Sequence, residues 1–354
     1  MANFFRTLSL LSLPFLFSCE KEPAGNPSVS GFSHGIVITN EGTFTQNNGS
    51  VSFIDSRTDS IIPDLFQLIN NRPLGDVVQS FGIADSLGFI VVNNSMKVEV
   101  VRLEDFASVG LIQASYPRYF SYAGNGKGYL TNGAFPGEVL VINTQNLHVI
   151  DTIQVGNQPE HLLISGNRLF VANGKWGNDN SVSVIDIAAD TVIKTIQVGD
   201  GPTDLVETSD HSIWVICQGK IVYNNDWTQI IEETDSRLVR INAETLEKTA
   251  DVIIGSKGDA FNPWLIAKCA TKNIICFAEA GGIYSFNTQT LTPSADPIVP
   301  GFFYGLGINP SNGNIFALEA KGYTSNGAVH IYSAGGTLLK SFETGVGPNG
   351  IVFY

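Results

Sequence analysis

The chain has 354 residues, 43% apolar and only 15% charged, which excludes an intrinsically disordered protein. Its 36 Gly, 22 Phe and two Met suit short strands between turns and exclude a long helical bundle. The net charge of -13 excludes a protein that wraps a nucleic-acid backbone.

Residues 1–18 read as a signal peptide. Arg6 supplies a positive n-region, and residues 8–17 form an apolar h-region too short to cross a bilayer. The run Leu16-Phe17-Ser18-Cys19 resembles a bacterial lipobox, which implies that Cys19 becomes the acylated N-terminus of the mature chain. Residues 19–33 follow as a flexible tether rich in Pro, Gly and Ser. Its start, Glu20-Lys21-Glu22, resembles the acidic segment that directs lipoproteins to the cell surface. No later run reaches 18 apolar residues. The expected location is therefore the outer membrane, lipid-anchored and surface-exposed, with membrane contact only through the lipid.

Residues 34–354 repeat. Val155-Gly156 with Pro159 recurs 43 residues later as Val198-Gly199 with Pro202. A second-strand motif can be followed along the chain as IVITNEG from Ile36, FIVVNN from Phe89, GYLTNG from Gly128, RLFVANG from Arg168, SIWVICQG from Ser212, NIICFAEA from Asn273 and NIFALEA from Asn314. A third-strand motif follows each one, from SVSFID at Ser50 to AVHIYS at Ala328. The first strands are expected to begin at Pro73, Pro117, Pro159, Pro202, Pro263, Gly301 and Pro348. Four-strand units at this period predict an all-β, seven-bladed β-propeller with four-stranded blades. The first blade lacks its own first strand, so GPNGIVFY from Gly347 is expected to complete it and close the ring.

The strand ends FVANG, YLTNG and ITNEG resemble the YVTN repeat of bacterial surface proteins, and residues 34–354 are similar to YncE-like seven-bladed propellers. With the lipobox and acidic tether, the chain resembles the BtuG-type cobalamin-binding lipoproteins. That resemblance implies capture of cobalamin and its delivery to a TonB-dependent outer-membrane transporter.

Antiparallel connectivity sends the 2–3 loops and the blade-to-blade loops to one face. These loops are long and aromatic: 43–48 (TFTQNN), 134–137, 175–180 (KWGNDN), 220–235 and 321–326. The junctions add Tyr116, Tyr119, Gln158, His161, Asp204, Phe261, Trp264, Phe303 and Tyr304. Aromatics beside amides on a rigid scaffold suit a large amphipathic ligand. The candidate ligand-binding residues are Asn40, Phe44, Asn132, Phe135, Asn173, Trp176, Asp204, Trp227, Trp264 and Tyr304. The Asn residues have two readings, as braces of turns or as amides around the channel mouth.

No catalytic motif is present, neither G-x-S-x-G nor H-E-x-x-H nor a phosphate loop. The five His do not converge as metal ligands would, and Glu160-His161 is the single candidate acid–base pair. Cys217, Cys269 and Cys276 lie in apolar runs and read as buried small hydrophobes, with room for one bridge whose partners the sequence does not assign. The expectation is a non-catalytic protein with no cofactor and no metal, cobalamin being its ligand. The alternatives are a module that docks a surface protein or a glycan, and a lactonase-type hydrolase.

Overall fold

The structure, a computed structural model, describes residues 31–32, 35–255, 264–269 and 271–354. The signal peptide, the acylation site at Cys19, the tether up to residue 30, Phe261 and Pro263 lie outside the described residues. Phe32, at the end of the stretch read as tether, is buried and packs its ring against Phe53 and Phe106.

Seven antiparallel sheets form the blades of a propeller. Blade 2 runs from its inner strand Val78–Ala84 through Leu87–Val92 and Lys97–Arg102 to the outer strand Ser108–Gln113. Blade 3 starts at Pro117–Gly124, blade 4 at Pro159–Ser165 and blade 5 at Pro202–Glu207. Blades 6 and 7 start at Leu265–Lys268 and Gly305–Ile308. In blade 6 the outer strand is split into Thr292–Pro293 and Val299–Pro300, both paired with Gly282–Asn287. Blade 1 takes its inner strand, Pro348–Phe353, from the far end of the chain and pairs it with Gly35–Asn40. The expected closure is thus present, with Ile36 opposite Phe353 and Ile38 opposite Ile351. A salt bridge from Lys340 of blade 7 to Asp59 of blade 1 spans the same seam.

The second strands are buried along most of their length, as in the fully buried Gly35–Asn40 and Ser212–Cys217. Both faces of a blade meet neighbours, and apolar clusters fill the gaps between them. Phe170, Val182 and Val184 of blade 4 pack on Val215 and Val239 of blade 5, and Phe89 of blade 2 stacks on Phe120 of blade 3. Full burial of such a side chain is worth about 1.5–3 kcal/mol, so the gaps carry most of the stability.

Two expected strand starts are displaced. The stretch before blade 2 holds a helix, α1 (Leu65–Asn70), and the inner strand begins at Val78 instead of Pro73. The Asp64 carboxylate accepts the Gln67 N–H at the helix start, and Leu65 and Phe66 are buried, so local capping and apolar burial override the repeat. In blade 7 the strand begins at Gly305, with Gly301 in the junction before it. An inserted hairpin, Ile221–Tyr223 with Ile230–Glu233, accounts for the long spacing in blade 5.

Cys269 and Cys276 form a disulfide, with Cα atoms 6.2 Å apart, so these two are not the unpaired small hydrophobes of the sequence reading. Antiparallel pairing places Cys276, on the second strand of blade 6, beside the end of the inner strand where Cys269 stands. Cys217 is a buried free thiol.

Candidate functional site

In five blades the inner strand breaks register just after its first residue. Pro117 pairs with Asn132, but the next pair is Phe120 with Leu130. Pro159 pairs with Asn173, and the next pair is Leu162 with Val171. Similar breaks skip Gln79, Thr203 and Asn349. A bulge leaves its extra residue out of the ladder and re-aims the side chain. The residues freed in this way are Asn349, Gln79, Arg118-Tyr119, Glu160-His161 and Thr203. In blades 6 and 7 the corresponding residues, Trp264 and Tyr304, stand immediately before the inner strand.

These side chains, one set from every blade, line the mouth of the central channel. A recess of about 280 Å³ is walled by Tyr119, Trp176, Trp264, Tyr304 and Tyr323, with Glu41, Lys175 and Gln218 contributed by the 2–3 loops. An adjoining basin of about 530 Å³ shares Glu41, Lys175, Trp176 and Tyr304 and adds Phe44, Tyr116 and Gln158. The Tyr304 ring stands nearly perpendicular to Tyr323, with centroids 4.9 Å apart, and is tilted against Trp264 at 6.1 Å. Lys175 and Trp176 are set by a tight turn. Gly174 has φ 118°, and a Cβ there would lie 2.3 Å from the Asp179 carbonyl oxygen. Trp176 itself has φ 64°, a left-handed backbone that a bulky residue rarely adopts and that often accompanies a functional constraint.

Two close ion pairs stand at the mouth, Arg118 with Glu160 and His161 with Asp204. Arg118 donates two hydrogen bonds to Glu160, at 2.9 and 2.8 Å. Burial pushes Glu160 up, but Arg118 and then Lys175 hold its pKa below the usual carboxylate value. His161 Nδ1 lies 3.0 Å from Asp204, and its ring is tilted against Tyr119 with centroids 3.8 Å apart. Burial opposes the imidazolium, yet Asp204 outweighs it and raises the His161 pKa. Among the described residues Glu41 receives only neutral donors, the Tyr304 hydroxyl at 3.1 Å and the Asn349 amide at 3.2 Å. Its pKa is raised by burial, which Lys175 offsets only in part. The Lys175 pKa is lowered by burial and by the nearby Arg118.

Of the residues singled out from the sequence, Trp176, Trp264 and Tyr304 meet in the recess and Phe44 lines the basin. Asp204 reaches the site through His161. Asn40, Asn132 and Asn173 are buried, and their amides brace the blades. Asn40 and Asn173 donate to serines of the adjacent third strand, while Asn132 donates to Glu138 and accepts from the Tyr116 N–H. Their geometry carries the bracing reading, not the ligand-facing one. Trp227 sits at the hairpin tip, 77% exposed and stacked on Tyr223, and neither it nor the exposed Phe135 lines the recess. Glu160 and His161 do not form an acid–base pair with each other, because each is held by a separate partner. The sequence reading missed Glu41, Gln79, Arg118, Gln218 and Asn349. The available signal was position: Arg118, Glu160, Thr203, Trp264 and Asn349 each directly follow a strand-start proline. Among the described residues, no group of three or more His, Cys, Asp or Glu could hold a metal ion.

A family model described as a domain of unknown function, DUF5074, matches residues 34–347. No curated protein matches the chain in sequence. Among solved structures it is similar to a quinonprotein alcohol dehydrogenase-like protein from Bacteroides thetaiotaomicron, at 14% identity and TM-score 0.64, over 91% of this chain and 79% of that one. It is also similar to the hydrazine synthase of Kuenenia stuttgartiensis, at 17% identity and TM-score 0.61, over 78% of this chain and 92% of that one. BamB from Moraxella catarrhalis matches at 14% identity and TM-score 0.54, over 91% and 86% of the two chains. At these identities the likeness is one of fold.

Proposed function

We propose, for a chain that belongs to the DUF5074 family, capture of an amphipathic small ligand at the channel mouth, without catalysis. One observation carries this reading: every blade delivers a side chain to a single aromatic-walled recess. Flat apolar walls supply area at low ordering cost, and a few fixed polar groups supply orientation. The separate partners of Glu160 and His161 support a binding role over acid–base chemistry.

The narrowest form of the proposal is the one the BtuG-type resemblance implies: a lipoprotein anchored through Cys19 to the outer membrane, which passes cobalamin to a TonB-dependent transporter. A corrinoid is much larger than the recess and would lie across the basin with one amide-bearing edge in it. The Cys269–Cys276 disulfide suits a compartment outside the cytosol. Among the described residues, no helix is long and apolar enough to cross a membrane. Isothermal titration with cyanocobalamin tests this form. Saturable heat that is lost in a Trp176→Ala, Trp264→Ala double variant supports it, and no heat at micromolar protein removes the corrinoid.

A second reading, docking of a partner protein, is favoured by the blade 5 hairpin. Tyr223, Trp227 and Ile231 form an exposed apolar group outside the recess. Co-purification of a transporter from membranes, abolished by Trp227→Ala while ligand binding persists, would assign docking to this hairpin.

A further inference from the structure

We infer that the recess takes a zwitterion with an aromatic or apolar body, its ammonium group toward Glu41 and its carboxylate toward Lys175; a free short peptide is the simplest ligand of this chemistry. The inference rests on the ligand-capture reading of the mouth and does not depend on the corrinoid form.

The argument starts from charge pairing. Six acidic and basic side chains gather at or just behind the mouth, and four of them are matched as Arg118 with Glu160 and His161 with Asp204. Of the other two, Lys175 keeps only a longer salt bridge to Glu160 and a contact with the Trp176 ring, and Glu41 has no salt bridge among the described residues. Among the described residues only neutral donors hydrogen-bond to Glu41, and it lies in a buried setting where an ionised carboxylate is costly without a cation in contact, Lys175 offsetting that burial only in part. The Lys175 ammonium has Glu160 at 3.7 Å, beyond hydrogen-bond range, and Glu160 already accepts two bonds from Arg118. The two are not ion-paired with each other. Glu41 belongs to blade 1 and Lys175 to blade 4, three places round a seven-membered ring, so they approach the channel from roughly opposite sides.

A ligand with one charge would satisfy one of these groups and be repelled by the other. A ligand with both charges satisfies both, and this is how unlike charges at a site exclude wrong partners. The walls between them are Trp176, Trp264, Tyr304 and Tyr323, which suit an aromatic or aliphatic body. A further observation points to a hydrogen-bond donor on the ligand. Gln218 lines the recess and is buried at 6% exposure, and its Oε1 has no hydrogen-bond partner among the described residues. A buried acceptor left unmatched is unfavourable, and a ligand ammonium or peptide N–H would satisfy it.

The test is calorimetric titration of the full chain with alanyl-tryptophan in three forms: free, N-acetylated and C-amidated. The free dipeptide is expected to bind at least tenfold more tightly than either blocked form. In Glu41→Gln the free and N-acetylated forms should become equal, and in Lys175→Met the free and amidated forms should. Equal affinity of the three forms for the unaltered chain overturns the inference, as does no heat from any of them. The comparison on the unaltered chain decides the matter even if a variant fails to fold. Cyanocobalamin is titrated in parallel. Heat from it beside silent dipeptides overturns the zwitterion alone, and silence from every probe removes the capture reading as well.

Discussion

Arg118 and Glu160, the bulged residues of neighbouring blades 3 and 4, meet side by side in a bidentate pair, and both are more than nine-tenths buried. Their attraction joins two blades through the inner strands at the channel mouth. Removal of Arg118 leaves Glu160 buried with only the longer Lys175 contact, and removal of Glu160 leaves the Arg118 charge without its bidentate partner. Arg118→Met should destabilise the protein by about 3–5 kcal/mol, whereas the Arg118→Met, Glu160→Met double variant should recover much of that loss. Urea unfolding of the two variants checks this, and an equally unstable double variant would show that packing, not charge, holds the junction.

Glu41 predicts a pH effect of the opposite sign to that of most carboxylates. Burial raises its pKa in the folded state above the ordinary 4.5. Its contribution to stability is therefore present in full below pH 4.5 and is lost as pH rises through the raised value. Glu41→Gln should be more stable than the unaltered chain at pH 8 and no different at pH 4. Thermal melts at the two values test it; equal stability at pH 8 would show that Tyr304 and Asn349 fully compensate the charge.

The tryptophans should separate by position. Trp264→Ala removes a wall of the recess and should weaken ligand binding by about 2 kcal/mol, the size of an interface hot spot. Trp227→Ala alters only the exposed hairpin tip and should leave the same affinity within about twofold, since it removes no contact in the recess. Fluorescence titration with whichever probe binds will compare them. A larger loss from Trp227 would move the binding surface out to the hairpin.

Cys217 should be inert in the folded protein. It is fully buried, and burial pushes its thiol up to about 12. Iodoacetamide at pH 8 should label the Cys217 peptide only after unfolding, as read by mass spectrometry. Fast labelling of the native protein would mean that blade 5 opens readily.

The blades were legible because one pattern recurs: an apolar second strand ending in a turn, then an apolar third strand. Ile36 to Asn40 and its counterpart Phe170 to Asn173 show it with no knowledge of their neighbours. The aromatic part of the site was legible for a related reason, since loop position follows from strand direction. The charged part was not. Arg118 and Glu160 are 42 residues apart, and only closure of adjacent bulges brings them together. Glu41 meets Asn349 across nearly the whole chain. Helix α1 escaped notice because six residues are too few for a 3.6-residue period to stand out from a strand. The asparagines at the strand ends were visible as a set, but whether each amide turned inward or outward depended on third-strand side chains, serines for Asn40 and Asn173 and Glu138 for Asn132.

The inner strand of blade 1 is the last of the seven in order of synthesis, and Asn349 within it donates to Glu41 and to the backbone carbonyls of Val78 and Gln79. A chain emerging N-terminus first therefore has no finished pocket until this segment has docked. A molecule cut short before residue 348 would lack the inner strand of blade 1 and the amide that ties Glu41 to blade 2, so the rim of the recess depends on the segment made last.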